Sequence, residues 1–185
     1  MKQLNAYKIG QSVIREIDDA DPRDPLGILW VWEPPSEKET YVVGVDPTQG
    51  LTGWTRQYRS ADSKETDNAA IEVIRIGREG RSDFQVAEYA APLDALDLAP
   101  VVNAIGRLYR GASEEGMALC IIETTGSGIM TQRELMSRFN YSNVYVWKYL
   151  DRLNVMRTPT FGWQASKDNN KQLHNSSNTK PIFDK

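Results

Sequence analysis

The segment MALCIIE (residues 117–123) constrains the fold of this chain more than any other segment. It holds six consecutive apolar residues, whereas a half-exposed strand alternates polar and apolar side chains. A short, continuous apolar run of this kind is typical of a strand that is buried on both faces of a sheet, beside parallel neighbours. The sequence therefore predicts an α/β domain in which helices cover the sheet.

Four strands are predicted before this segment. They are apolar or alternating stretches, and turn-forming residues separate them. They are GILWVWE (27–33), TYVVGVD (40–46), DNAAIEVIRIG (67–77) and DFQVAEYA (83–90). Residues 1–26, which end in the Asp- and Pro-rich sequence IDDADPRDPL, are predicted to be a linker or arm outside the core.

Two helices and one more strand follow this part of the chain, and a possible strand at PTFGWQAS and a last short helix complete the predicted order. Asp97 is predicted to cap the first helix, with Pro100 in its first turn, where a missing N–H has no cost. The second helix covers residues 129–139, and a strand follows over 143–150. Antiparallel strands followed by βαβ crossovers predict a mixed sheet with helices on both faces. The ribonuclease H-like fold has this layout and is one candidate among several α/β folds.

Two acidic residues end the two strands that are predicted to be most buried, Asp46 after YVVGV and Glu123 after LCII. Ligands and catalytic groups in α/β sheets collect at the carboxyl ends of strands. If the strands are neighbours, the carboxylates converge and repel each other unless a cation lies between them. Mg²⁺ prefers such oxygen ligands, so the pair predicts a metal site. The structural alternative is a turn-forming Asp-Pro and a Glu that accepts backbone hydrogen bonds.

Other residues carry weaker signals. Asp67 is a third carboxylate at the start of a strand, a position that also suits a turn or cap. Gly126 and Gly128 allow a backbone to approach a phosphate, and equally suit any tight strand-to-helix turn. His174 is predicted to be solvated and Cys120 to be a core residue. With one histidine and one cysteine, the chain excludes His-based metal sites and internal disulfides.

Charge is distributed unevenly along the chain, although the net charge is only -3. Residues 131–185 hold 9 of the 22 Lys and Arg residues but 4 of the 25 Asp and Glu residues. This asymmetry permits a basic surface on the C-terminal third, and equally a chance excess on a solvated face. No apolar run is long enough for a membrane span or a signal peptide, so neither is predicted.

Five ordered motifs resemble the nuclease domain of tailed-bacteriophage terminase large subunits. They are YVVGVDPTQG, DNAAIEVIRIG, QVAEY, LCIIETTGSG and FGWQASKDNNK. The resemblance implies a ribonuclease H-like nuclease domain over residues 27–171, followed by a tail over 172–185. It implies an endonuclease that cuts concatemeric double-stranded DNA during genome packaging, with two Mg²⁺ or Mn²⁺ ions. It also implies an ATPase motor domain in the full-length protein, portal and small-subunit partners, and the host bacterial cytoplasm.

Matched motif by motif, the resemblance also implies roles for single residues. Asp46 takes the place of a metal ligand on the first core strand, and Glu123 that of a ligand at the end of the fourth. Asp67 takes an acidic position near the site. The residues expected to contact DNA are Gly126, Gly128, Lys167 and Lys171.

The chain departs from the family pattern after Lys171. The third catalytic carboxylate of the family lies on a late helix, whereas only QLHNSSNTKPIFDK remains here. The sequence therefore predicts a truncated nuclease domain without that ligand. One alternative is an incomplete nuclease fold that binds DNA or motor partners without cutting. Another is an actin-like nucleotide-binding domain suggested by GVDPTQG, which Pro47 and the lack of a second phosphate loop disfavour.

Overall fold

The computed structural model describes residues 5–9, 14–17, 27–48, 68–147 and 160–163. These ranges hold nine strands and two helices. The strands are β1 (Asn5–Ile9), β2 (Ile14–Ile17), β3 (Ile28–Val31), β4 (Tyr41–Asp46), β5 (Ala69–Arg75), β6 (Phe84–Ala91), β7 (Leu119–Ile122), β8 (Val146–Trp147) and β9 (Thr160–Phe161). The helices are α1 (Ala95–Leu108) and α2 (Gly128–Phe139). No helix in these ranges is long and apolar enough to cross a membrane.

Seven strands form one mixed sheet in the order β2-β1-β3-β6-β5-β4-β7. Every neighbouring pair is antiparallel except β4 and β7, which are parallel. Parallel bridges from Cys120 to Val144 and from Glu123 to Trp163 continue the sheet beyond β7. The predicted α/β class with a mixed sheet is therefore confirmed. Of the strand predicted over residues 143–150, Val144 bridges to β7 and Val146–Trp147 forms β8, which pairs with β9, while residues 148–150 lie outside the described residues.

The core lies between one face of the sheet and the two helices. Val43 of β4 lies opposite Val73 of β5 and Cys120 of β7, and all three are fully buried. Ile105 of α1 and Leu135 of α2 are fully buried in the same cluster. This continuous apolar layer holds the ends of β4 and β7 in a rigid scaffold.

Helices were predicted on both faces of the sheet, but α1 and α2 pack against each other on one face. Thr131 Oγ1 donates to the carbonyl oxygen of Ala95 at 2.9 Å, which joins the starts of the two helices. On the opposite face, Val42 and Ile121 are half-buried and Glu72 is exposed. Within the part of the chain that the structure describes, the second face therefore carries no helix.

The predicted start of the first helix is wrong. Asp94, not Asp97, is the N-cap residue, and its Oδ1 accepts hydrogen bonds from the Leu96 and Asp97 N–H groups, both at 2.9 Å. Asp97 instead lies in the first turn, where its charge favours the helix dipole. Pro100 lies inside the helix. The helix therefore begins two residues before the predicted cap, and Pro100 falls past its first turn.

The prediction of a linker or arm over residues 1–26 is corrected for its first half. Strands β1 and β2 form an antiparallel hairpin, and β1 pairs with β3. The hairpin satisfies backbone groups that β3 would otherwise expose at the edge of the sheet. The Asp- and Pro-rich part, residues 18–26, and the predicted tail, residues 172–185, lie outside the described residues.

A buried contact between Gly106 of α1 and Tyr141, two residues after α2, gives a stability prediction. A methyl group on Gly106 would overlap the hydroxyl of Tyr141, which donates to the Ala118 carbonyl oxygen at 2.6 Å. Replacing Gly by Ala inside a helix gains about 1 kcal/mol from propensity, but overpacking a core costs about 1–3 kcal/mol. We expect the steric cost to win, because the hydroxyl is anchored.

Gly106→Ala should therefore lower the free energy of unfolding, measured by urea denaturation, by about 1–2 kcal/mol. The double variant Gly106→Ala/Tyr141→Phe removes the overlapping oxygen and should be less destabilised than the sum of its two single changes. A stabilised Gly106→Ala variant would contradict the packing described here.

Candidate metal centre

The ends of β4 and β7 bring Asp46 and Glu123 side by side. The strands run parallel with Val45 opposite Ile122, so the next residue of each strand is a carboxylate. The Glu123 N–H donates to the Val45 carbonyl oxygen at 2.9 Å, which extends the ladder to the carboxylates themselves. Neighbouring strands lie about 4.8 Å apart. Two acidic side chains at this spacing are therefore close enough to share one ion.

Both carboxylates also lie on the same face of the sheet. Side chains alternate along a strand, and the buried residues of the two strands, including Val45 and Ile122, face the helices. Asp46 and Glu123 are each one residue further along, so their side chains lie on the opposite face of the sheet, with that of Ile121. The pair therefore lies on the sheet face opposite the helical layer.

Partial burial and, after it, the nearby carboxyl group of Glu123 raise the pKa of Asp46. Because Asp46 as a whole residue is exposed, we regard the Glu123 contact, rather than burial, as the effect that decides its chemistry. Two ionised carboxylates this close repel each other, and a cation between them would relieve that repulsion.

A third stretch of backbone completes this end of the sheet. Trp163 pairs with Glu123: its N–H donates to the Ile122 carbonyl oxygen at 2.8 Å, and its own carbonyl accepts from the Thr124 N–H at 2.7 Å. The backbone of Glu123 is therefore held from both sides, by Val45 and by Trp163. Trp163, which belongs to the FGWQASKDNNK motif, thus lies at the same end of the sheet as the two carboxylates. Asp67, Lys167 and Lys171 lie outside the described residues.

The Gly-rich turn after Glu123 has structural reasons for its glycines. Gly126 is exposed and has a φ of 69°, a left-handed conformation that favours glycine. Gly128 is the buried first residue of α2, and a methyl group there would overlap the carbonyl oxygen of Glu123. This close approach seats the start of α2 directly against the carboxylate-bearing backbone. A DNA contact at either glycine stays a prediction.

Sequence analysis missed two buried polar residues beside the pair, Thr124 and Gln132. Thr124 Oγ1 donates to the Trp163 carbonyl oxygen at 3.1 Å. Gln132 is 8% exposed, and its Oε1, next to Gly162, has no hydrogen-bond partner among the described residues. The signal was present, because Gln132 follows Gly128 by one helical turn and so falls on the buried stripe of α2.

Gln132→Met is expected to raise the free energy of unfolding by about 1 kcal/mol, because it removes a buried acceptor that has no partner. Gln132→Glu places a charge at the same position and should lower the stability instead. Urea denaturation of both variants beside the parent measures the difference. A loss of stability in Gln132→Met would show that the amide has a partner.

Cys120 is a core residue, as predicted: it is fully buried in β7, and burial raises the pKa of its thiol. It is therefore an inert thiol rather than a nucleophile or ligand. His174 lies outside the described residues.

The donor set fits a hard divalent cation, because carboxylate oxygens are the ligands that Mg²⁺ and Mn²⁺ prefer. Within the described ranges, no three His, Cys, Asp or Glu side chains cluster as a metal site. Asp46 and Glu123 therefore define a two-carboxylate site on an α/β sheet. No protein-family profile matches the sequence, and no curated protein matches it significantly.

Proposed function

We propose that this chain is a divalent-metal-dependent endonuclease domain of the terminase large-subunit type, with a ribonuclease H-like fold. The observation that carries the proposal is the adjacency of Asp46 and Glu123 at the ends of two parallel neighbours. Counted from β4, the strands β4, β5, β6 and β7 are the first to fourth of the core. The motif resemblance puts the metal ligands of that family on the first and fourth strands.

In this proposal, Asp46 and Glu123 would hold the cation through their carboxylate oxygens. Bound Mg²⁺ or Mn²⁺ supplies an activated water and positive charge at the scissile phosphate. Glu123 orients the site, because the backbone on either side of it is hydrogen-bonded to Val45 and to Trp163. Asp46 contributes the second carboxylate, and because its pKa is raised, metal binding at low pH has to displace a proton from it.

The proposed substrate is the phosphate backbone of double-stranded DNA, which would lie beside the pair on the sheet face opposite the helices. Contacts to phosphate release counterions, so binding should weaken steeply with salt. A motor domain, a portal, a small subunit and the host cytoplasm belong to the same proposal.

Plasmid cleavage tests the proposal directly. Supercoiled DNA incubated with the protein and Mn²⁺ or Mg²⁺ should become nicked and linear, and EDTA should stop the reaction. If cation binding is detected but the DNA stays intact over a range of salt and protein concentrations, the nuclease activity is refuted.

A second function, DNA or partner binding without cleavage, is favoured by one observation. Two carboxylates, not three, come together in the described residues. A chain of this kind would shift the mobility of duplex DNA but leave it uncut with Mn²⁺. The same plasmid experiment therefore separates the two functions.

A further inference from the structure

One side-chain hydrogen bond ties together the two loops that follow the carboxylates. Ser127 Oγ, after Glu123, donates to the carbonyl oxygen of Thr48, after Asp46, at 2.9 Å. The same loops touch at a second point, since a methyl group on Gly128 would come within 3.2 Å of Pro47 Cγ. The two loops are therefore in direct contact just beyond the ends of β4 and β7.

Ser127 does not act as helix-capping serines do. It occupies the N-cap position of α2, but its side chain makes no hydrogen bond to the first N–H groups of the helix. A capping serine accepts such a bond with its hydroxyl oxygen. Here the hydroxyl donates to Thr48 instead. The energetics of α2 alone therefore do not explain why a hydroxyl is needed at this position.

The position of the Ser127–Thr48 hydrogen bond explains why a hydroxyl is needed at residue 127. The hydrogen bond from Glu123 to Val45 is the last one between β4 and β7, and the next N–H, that of Thr124, turns to Trp163. Beyond that point, among the described residues, the Ser127–Thr48 hydrogen bond joins the segment after β4 to the segment after β7. When both carboxylates are ionised, their repulsion acts to separate the segments that follow β4 and β7.

We propose that Ser127 is a positioning residue, whose hydrogen bond to Thr48 sets the spacing of Asp46 and Glu123 for a divalent cation. The cation-binding part rests on the proposed function. The hydroxyl itself contacts neither the cation nor the DNA; it acts through the two loop backbones.

Two measurements on Ser127→Ala test the proposal, one without and one with metal. In metal-free protein, amide hydrogen exchange at Glu123 should speed up about tenfold, as expected for the loss of one hydrogen bond that holds the local structure. The Kd for Mn²⁺ should rise about tenfold or more, the effect typical of losing a group that supports metal ligands. Ser127→Thr keeps a donor hydroxyl and should restore both values towards those of the parent.

Ser137→Ala is the matched control, since Ser137 is an exposed serine on the same helix, and it should leave both values unchanged. Parental exchange at Glu123 in Ser127→Ala would overturn the loop connection, whether or not the parent binds Mn²⁺. A parent that binds no Mn²⁺ overturns the proposed function. A parent that binds Mn²⁺ with the same Kd as Ser127→Ala overturns the positioning role alone.

Discussion

Glu123→Gln is expected to lower Mn²⁺-dependent plasmid nicking about 100-fold or more, since loss of even an outer-shell partner of a metal site costs 10–100-fold. The change replaces one carboxylate oxygen by an amide N–H₂ group and keeps the shape of the side chain. Because Glu123 is bonded to strands on both sides, its backbone should stay in place. The loss should therefore report on the ligand and not on the fold. Gel quantification of supercoiled, nicked and linear DNA over time gives the rates.

Glu114→Gln is the matched control for this experiment. Glu114 is exposed and precedes β7, whereas Glu123 follows the same strand, so the two carboxylates lie at opposite ends of β7. The control makes the same chemical change and should nick DNA at the parental rate. Equal rates for Glu123→Gln and the parent would remove Glu123 from the site.

Mn²⁺ is expected to raise the melting temperature of the parent, and Asp46→Asn to abolish that rise. A ligand at 100 times its Kd stabilises the folded state by about 2.7 kcal/mol. In a chain of this size, that corresponds to a shift of about 5–10 °C. Without metal, Asp46→Asn should be more stable than the parent at neutral pH, because it removes the repulsion between the two carboxylates.

The pH dependence has a definite sign. The pKa of Asp46 is raised above its ordinary value of 3.8 in the folded protein. Between the ordinary and the raised pKa, the folded state binds more protons than the unfolded state, so this group lowers stability as pH rises. The advantage of metal-free Asp46→Asn over the parent should therefore grow as pH rises through that window.

Thermal unfolding of both proteins across pH, with EDTA and with Mn²⁺, measures these effects. Asp97→Asn, in the exposed first turn of α1, is the control and should keep the Mn²⁺ response. An Mn²⁺ response that persists in Asp46→Asn, or an advantage of that variant that shrinks with rising pH, would contradict the shared site.

The local sequence predicted the elements of the site well, because their patterns depend on neighbouring residues. The apolar run before Glu123 became β7, the alternation before Asp46 became β4, and residues 129–139 fall within α2. In each case the order of polar and apolar residues predicts which side chains are buried. The acidic residues at the strand ends were visible for the same reason.

Other features depended on contacts between distant segments, which no local pattern contains. The hairpin of β1 and β2 is stabilised by pairing with β3, so the polar composition around it was misleading. The N-cap of α1 is Asp94, in the turn that follows β6, rather than the predicted Asp97. Both helices packed on one face because each buries its apolar stripe against the other as well as against the sheet.

The sequence by itself therefore determined that two carboxylates would end two buried strands. Only the tertiary structure decided that these strands are parallel neighbours with Val45 opposite Ile122. That register makes one carboxyl raise the pKa of the other, and it lets Ser127 reach Thr48. The physical reason is that burial follows from the local order of side chains, whereas the distance between two charges follows from how the strands pair.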